Sequence, residues 1–523
     1  MFNSPSIPSE ILLEGLNDSG DATNIPVTSE GHLEVEIHGP RLPFGSIHAE
    51  RLSPIFQTDP IYGINATECL TTVGSNGTAT VANGMFKVST GTNSGASATL
   101  QSRKRLRYRP GQGIVGRFTG LWSAPVASAY QLIGLGSSES GVYFGYQGTT
   151  FGILHVTGGV REIQTLTVTT GSTSTNNYQV TLNGVSTNVT ATNNGSTTKT
   201  AYEISQGTYA GWDAMQLGAT VVFISKSAGN KTDTFSLAQS GAGTPAAGSF
   251  VETLAGVAST DTFVAQSEWN GDKLDGTGAS GITLDPTKGN VFQIGIQYLG
   301  YGAIIFEVET VSDDSNNPVF TTVHTLKFPN ARTTPSFSQP SFPFTMTAYS
   351  TGSTTDVSVS CGSFAGFIEG DKKLTGPRQT YTRTSTAVTT GAYYCFGTIR
   401  NDRVFGGRAN QAVVNLISCG FAHDDTTPVT FYLIKNATLA GTPSFAAYST
   451  SSCTSFDTAA TTCTIASNEQ IVFSMPVGDS GSVAFSFTDD ITLQPGETLT
   501  LAATTVTGTA TYSNVSINTR EDH

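Results

Sequence analysis

Residues 269–285 read WNGDKLDGTGASGITLD and set three carboxylates, Asp272, Asp275 and Asp285, among four glycines, Gly271, Gly276, Gly278 and Gly281. Carboxylates gathered in a glycine-rich loop are suited to calcium, which takes about six to eight oxygens from side chains and carbonyls. The spacing departs from the D-x-[DN]-x-[DN]-G of an EF-hand loop. Aspartate and glycine are also the residues that turns select, the first for side-chain to backbone hydrogen bonds and the second for positive φ. The expectation is a structural turn, with a bound calcium as the alternative and an active site ranked behind both.

Two further patterns invite a catalytic reading. In FEVETVSDD at 306–314, Glu307 and Glu309 alternate onto one strand face, and a glycosidase needs two carboxylates about 5 to 9.5 Å apart. The Glu-x-Asp-x-x-Glu arrangement of jelly-roll glycosidases is missing, and an outward strand face is the ordinary place for two glutamates. GDSG at 478–481 has the form of a serine-protease nucleophile loop, with His423 and Asp424 upstream in the right chain order. Ser482 stands where that motif has another glycine, and FAHDD reads as a solvated turn. The sequence also lacks GxxxxGK[ST], HExxH and a Rossmann glycine pattern after a strand. No catalytic, cofactor-binding or metal-ligating residue is therefore assigned, and the chain is expected not to be an enzyme. Glycan binding stays open through six aromatics, Trp122, Tyr143, Tyr146, Trp269, Tyr298 and Tyr301, each of which has a core position as its plainer role. Alternation in GVYFGYQG places Tyr143 and Phe144 on opposite faces.

The elements that would position these residues are strands. Only 12% of the 523 residues are charged, 57 are glycine, and Thr and Ser dominate the polar remainder. Helices solubilise their outer faces with Glu, Lys and Arg, whereas strands use Thr and Ser, so this composition points to an all-β, mainly antiparallel protein. At roughly 100–200 residues per domain the length implies several units. A net charge of -13 argues against nucleic acid. The one basic run, RKRLRYR at 103–109, reads as a strand edge with outward arginines. No apolar run reaches the roughly 18 residues that span a bilayer, and the N-terminus lacks the pattern of a secretory signal. Six cysteines form no metal spacing; Cys453 and Cys463 bracket a loop, where a crosslink and two separate thiols are equally compatible readings.

Residues 1–65 are expected to form an extended arm. They hold one alternating stretch (Leu33, Val35, Ile37), after which Pro40, Pro43, Pro54 and Pro60 interrupt any long element and leave Phe44, Ile47, Phe56 and Tyr62 as anchors for another subunit. Short strands separated by glycine turns fill 66–172, the first part of a jelly-roll sandwich. A small α+β insert and return loop occupy 173–289, with a helix near Thr200–Tyr209, and the jelly roll resumes over 290–371. A C-terminal β-sandwich fills 372–523, including a hairpin at TDDITLQPGETLTLAA that turns on Pro495 and Gly496.

Five stretches, PFGSIHAERLSPIFQ (43–57), LRYRPGQGIVGRFTGL (106–121), QLIGLGSSESGVYFGYQGTTFGILH (131–155), WNGDKLDGTGASGITLDPTKGNVFQIGIQYLGYGAIIFEVE (269–309) and VHTLKFPN (323–330), resemble a family of virion structural proteins of tailed phages and large DNA viruses of aquatic hosts. The resemblance covers about residues 43–370. It implies a concanavalin-like jelly roll in a capsid, fibre or tail, a virion location, and assembly with copies of itself and other virion proteins. It supplies no catalytic residues. The expected function is a non-enzymatic structural component of a virus particle; the alternative is an adhesin for host surface glycans, and a glycoside hydrolase ranks third.

Overall fold

The computed structural model describes residues 52–522, apart from 193–194, 241–242, 312–317, 373–374, 386 and 489–490, together with the paired strands Glu14–Leu16 and Ala22–Asn24. The expected alternating strand at Leu33, Val35 and Ile37 and the anchors Phe44 and Ile47 lie outside the described residues.

Alternation decides which side of each strand is buried. In Ile114–Trp122, Phe118, Gly120 and Trp122 are buried while the alternate residues Arg117, Thr119 and Leu121 are partly exposed. Such strands assemble into two antiparallel sheets. The seven-stranded sheet runs in the order Thr260–Ala265, Thr150–Thr157, Gly141–Gln147, Ala129–Gly136, Phe344–Ser350, Ser97–Ser102, Cys69–Gly74. The nine-stranded sheet centres on Ile114–Trp122, flanked on one side by Asn290–Ile296, Ile304–Val311 and Pro318–Leu326. Between the sheets lie Phe118, Trp122, Phe144, Phe292, Phe344 and Phe364 in one apolar cluster, with the Phe344 and Phe364 rings stacked 3.9 Å apart. This is the jelly-roll sandwich expected from the sequence.

The insert begins earlier and ends earlier than 173–289. Arg161–Thr170 looks like one more jelly-roll strand because it alternates in the same way. It pairs instead with Thr220–Ala228 and Ala247–Leu254, and with Trp212–Leu217 these make a separate four-stranded sheet. The chain returns at Thr260–Ala265, where Thr260 pairs with Thr157, so the insert is an excursion from one hairpin. Its helix spans Thr197–Ser205, starting before the expected Thr200 because Ser196 caps it by accepting from the Lys199 N–H at 3.2 Å.

The C-terminal unit is a sandwich of five- and eight-stranded sheets around Phe396, Phe421, Phe431 and Leu501. The turn at Pro495 and Gly496 forms, with Glu497 N–H donating to Gln494 O at 2.9 Å. Its flanks do not form a hairpin. Thr492–Leu493 joins the five-stranded sheet and Thr498–Thr505 the eight-stranded one, so the turn carries the chain across the sandwich.

The expected arm also changes character near its end. Leu52–Thr58 pairs with Phe364–Glu369 in the nine-stranded sheet, and Phe56 is buried edge-on against Phe364 at 6.0 Å. Phe56 thus belongs to its own chain's core. Pro54 is tolerated because, among the described residues, this strand has a neighbour on one side only. Tyr62, four residues past the strand, is fully exposed.

Candidate functional site

The loop 269–285 leads from the seven-stranded sheet to the nine-stranded one and is anchored by Trp269, Leu274 and Leu284 in the core. Each aspartate serves its own turn. Asp272 accepts from Leu274 N–H at 2.9 Å and, through its other oxygen, from Ser280 N–H at 2.8 Å. Asp275 accepts from the Thr277 N–H at 2.9 Å and hydroxyl at 2.6 Å, and Asp285 repeats the arrangement with Thr287 at the same two distances. A Cβ on Gly278 would overlap the Asp272 carboxylate, which is why glycine stands there. Partial burial pushes the Asp272 pKa up, but the hydrogen bonds from Ser280 and Leu274 outweigh it and hold the carboxyl below its ordinary value. The Thr277 and Thr287 hydroxyls, with their amides, depress Asp275 and Asp285. Among the described residues no group of three His, Cys, Asp or Glu side chains is placed to hold a metal. The geometry is that of three successive side-chain-capped turns.

Glu307 and Glu309 do lie on one strand face, but their surroundings differ. Glu307 accepts from Gln293 Nε2 at 2.6 Å, and Gln293 in turn accepts from Arg117 at 2.5 and 3.0 Å, forming a ladder across three strands. Burial raises the Glu307 carboxyl above its ordinary value, against hydrogen bonds from Gln293 and Thr322. Glu309 is exposed. Asp313 and Asp314 of the same motif lie outside the described residues.

The fold brings His423, Asp424 and Ser480 together in an arrangement a serine protease does not use. Ser480 Oγ donates to Asp424 Oδ1 at 3.4 Å, while the buried His423 ring places Nδ1 3.0 Å from Tyr512 O and 3.2 Å from Ser513 Oγ. A base that activates the serine has to accept from its hydroxyl. The basic run is likewise engaged within the chain rather than turned outward. Arg103 donates to Ala66 O, Arg105 to Ser341 O, and Arg107 and Arg109 converge on Asp522 at 3.7 and 2.7 Å. Burial, with Arg161 adding to it, lowers the Arg105 guanidinium to about 10.

Of the six aromatics, Trp122, Tyr143, Tyr146 and Trp269 are buried, Tyr298 donates to Phe337 O at 2.7 Å, and Tyr301 is exposed. Tyr143 does face away from Phe144, in a second apolar cluster with Leu132, Leu154 and Val156. Cys453 and Cys463 cannot bridge. Cys463 pairs with Tyr393, while Thr454, next to Cys453, pairs with Asn401 at the other end of the same strand. Eight positions at about 3.3 Å each separate them, far beyond the ~7 Å Cα limit of a disulfide. The six cysteines are all buried and free.

One cavity escaped the sequence reading. About 240 Å³ in volume, it lies where the insert meets the C-terminal sandwich, and its walls include Tyr202, Ala214, Arg400, Arg403, Asn436 and Phe445. Backbone and side-chain bonds hold that junction together: Gly218 N–H donates to Phe445 O, Phe445 N–H to Gln216 Oε1, and Arg400 Nη2 to Gln216 O at 2.7 Å. The lining residues are scattered over some three hundred positions, so no local motif marks them. The available signal was Arg400 inside the apolar strand Tyr393–Asn401, a charge that burial must pair.

No protein-family model matches the chain, and neither does any curated protein. Among solved structures, the catalytic domain of an endo-1,3-beta-glucanase (laminarinase) from Thermotoga petrophila RKU-1 aligns at 9% identity with a TM-score of 0.27, over 62% of this chain and 100% of that one. A lectin from Bauhinia forficata in complex with GalNAc aligns at 8% identity with a TM-score of 0.23, over 62% of this chain and 100% of that one. At these scores neither alignment bears on activity or ligand. No helix among the described residues is long and apolar enough to cross a membrane.

Proposed function

We propose that the chain is a non-enzymatic structural subunit of a virus particle, a minor capsid, vertex, fibre or tail component that assembles with copies of itself and with other virion proteins. The resemblance of residues 43–370 supplies the particle, and an open sandwich edge supplies the assembly. Among the described residues, Cys69–Gly74 and Thr78–Ala82 are the last strands of the two jelly-roll sheets, and on them Leu70, Val73 and Val81 are exposed at 44, 55 and 36%. A sheet edge that keeps free backbone groups beside apolar side chains is suited to pairing with another chain. Turn hydrogen bonds hold Asp272, Asp275 and Asp285, and the ladder through Gln293 and Arg117 holds Glu307, which favours a scaffold.

Sedimentation of the isolated chain tests the assembly. The wild type sediments as a multimer and Val73→Lys as a folded monomer; a wild type that stays monomeric at micromolar concentration refutes the edge. Host-glycan adhesion is the second reading, favoured by the polar and aromatic cavity between the insert and the C-terminal sandwich.

A further inference from the structure

We propose that this cavity binds one acidic sugar residue, a six-membered ring carrying a carboxylate, gripped by Arg400 and Arg403. The inference rests on the glycan reading and names the ligand class and the site.

Size comes first. A volume of about 240 Å³ falls below the roughly 300–1,000 Å³ of sites for drug-sized ligands, so the occupant is a single ring and not an extended chain. The walls are mixed in the way a sugar requires. Tyr202, Leu439, Ala214 and Ala437 offer apolar surface to ring C–H groups, while Asn436 and Thr498 offer hydrogen-bonding groups to hydroxyls.

Two guanidinium groups on one small cavity set the charge preference. Arg400 is 5% exposed, lies 4.1 Å over the Phe445 ring, and gives Nε to Asp402 Oδ1 and Nη2 to Gln216 O, both at 2.7 Å. Its Nη1 is the remaining nitrogen of the fork. Arg403 lies against the α-carbon of Gly496 and reaches Asp213 through Nη1 at 3.4 Å, a carboxylate it shares with Lys226 at 3.8 Å. Three cations thus face three carboxylates, Asp402, Asp213 and Asp457, but of these six charges only Arg400 and Arg403 stand in the cavity wall. Asp457, which also acts on Arg400, is held by the Ser444, Ala459 and Ala460 amides. Burial is the largest influence on Arg400 and lowers its pKa; Asp402 opposes it, and the smaller repulsion from the neighbouring Arg403 acts with it. An incoming carboxylate relieves that repulsion and fits the planar geometry of arginine better than a lysine site would.

The test is titration of the full chain, followed by ligand-observed NMR and calorimetry, with galacturonate, N-acetylneuraminate, galactose and acetate. Galacturonate and galactose differ at one carbon, so their ratio isolates the carboxylate. At least one acidic sugar should saturate the site, with galactose at least about tenfold weaker and acetate weaker still. Arg403→Ala should weaken binding by about tenfold or more, and Ala437→Phe, which fills the cavity without touching its charge, should abolish it. Both variants should melt close to the wild type; if one does not, Ala214→Phe takes its place. No saturable acidic-sugar binding, equal binding of galactose, or binding that survives a folded cavity-filling variant overturns the proposal. A parallel glycan array with the intact chain separates the two readings. Array binding that persists in Arg403→Ala and Ala437→Phe sinks the pocket and leaves adhesion standing, whereas an array blank for the wild type sinks adhesion.

Discussion

Arg109 Nη2 lies 2.7 Å from Asp522 Oδ2, joining the rim of the jelly roll to the last strand of the chain. Arg107 approaches the other oxygen of the same carboxylate at 3.7 Å, and the Asp522 side chain is only 11% exposed. Removing one partner of a largely desolvated pair leaves the other charge uncompensated. Asp522→Ala should lower the unfolding free energy by about 2 kcal/mol. Calorimetry should then show the jelly roll and C-terminal sandwich melting in separate transitions. A single unshifted transition would show that the contact contributes nothing.

Phe56→Ala should destabilise the jelly roll by about 3 kcal/mol, the cost of emptying a buried phenylalanine site. The ring packs on Phe364 and lies in the main apolar cluster. Denaturant titration of the isolated chain checks this. An unchanged midpoint would place Phe56 outside the core and return it to an inter-subunit arm.

Chelation should leave the melting temperature unchanged, because Asp272, Asp275 and Asp285 are each satisfied by amides and hydroxyls of their own turns. Asp272→Ala should cost about 1–2 kcal/mol by leaving the Leu274 and Ser280 amides without their acceptor. Since the folded pKa values are depressed, the stability these carboxylates contribute is full above their unfolded pKa near 3.8 and is lost as pH falls through the lower folded values. A large melting loss with chelator that calcium restores would make the loop a metal site.

His155 gives a second pH dependence in a different window. Burial first, and then Arg332, lower its pKa from 6.5 to about 4, and the ring sits between Phe328 and Phe337. Between pH 6.5 and 4 the unfolded chain holds this proton and the folded chain does not, so stability falls on acidification through that range, by at most about 3 kcal/mol. His155→Leu should flatten the slope there in urea titrations at stepped pH. An unaltered slope would mean that the ring titrates normally in the folded chain.

Strand pattern was the legible part of this chain. The alternation in GVYFGYQG correctly put Tyr143 and Phe144 on opposite faces, although both faces are buried, and the aspartate and glycine chemistry of 269–285 correctly favoured turns. Pairing was not legible, because a strand such as Arg161–Thr170 carries no mark of whether its partner is the preceding hairpin or a segment some fifty residues ahead. The same blindness turned Pro495 and Gly496 into an apparent hairpin and the arginines of 103–109 into an outward edge. Arg107 and Arg109 meet a carboxylate more than four hundred residues away. Ser196 was a readable helix cap, but it stands among threonines and serines that any turn would also select.

Quantitative mass spectrometry of purified virus particles, combined with hydrogen exchange, tests the proposed structural role most directly. The chain should be present at a fixed ratio to the major coat protein and resist removal by high salt. Peptides covering 69–82 should exchange more slowly in particles than in the free chain. Absence of the chain from particles that remain infectious and intact would contradict the proposed function.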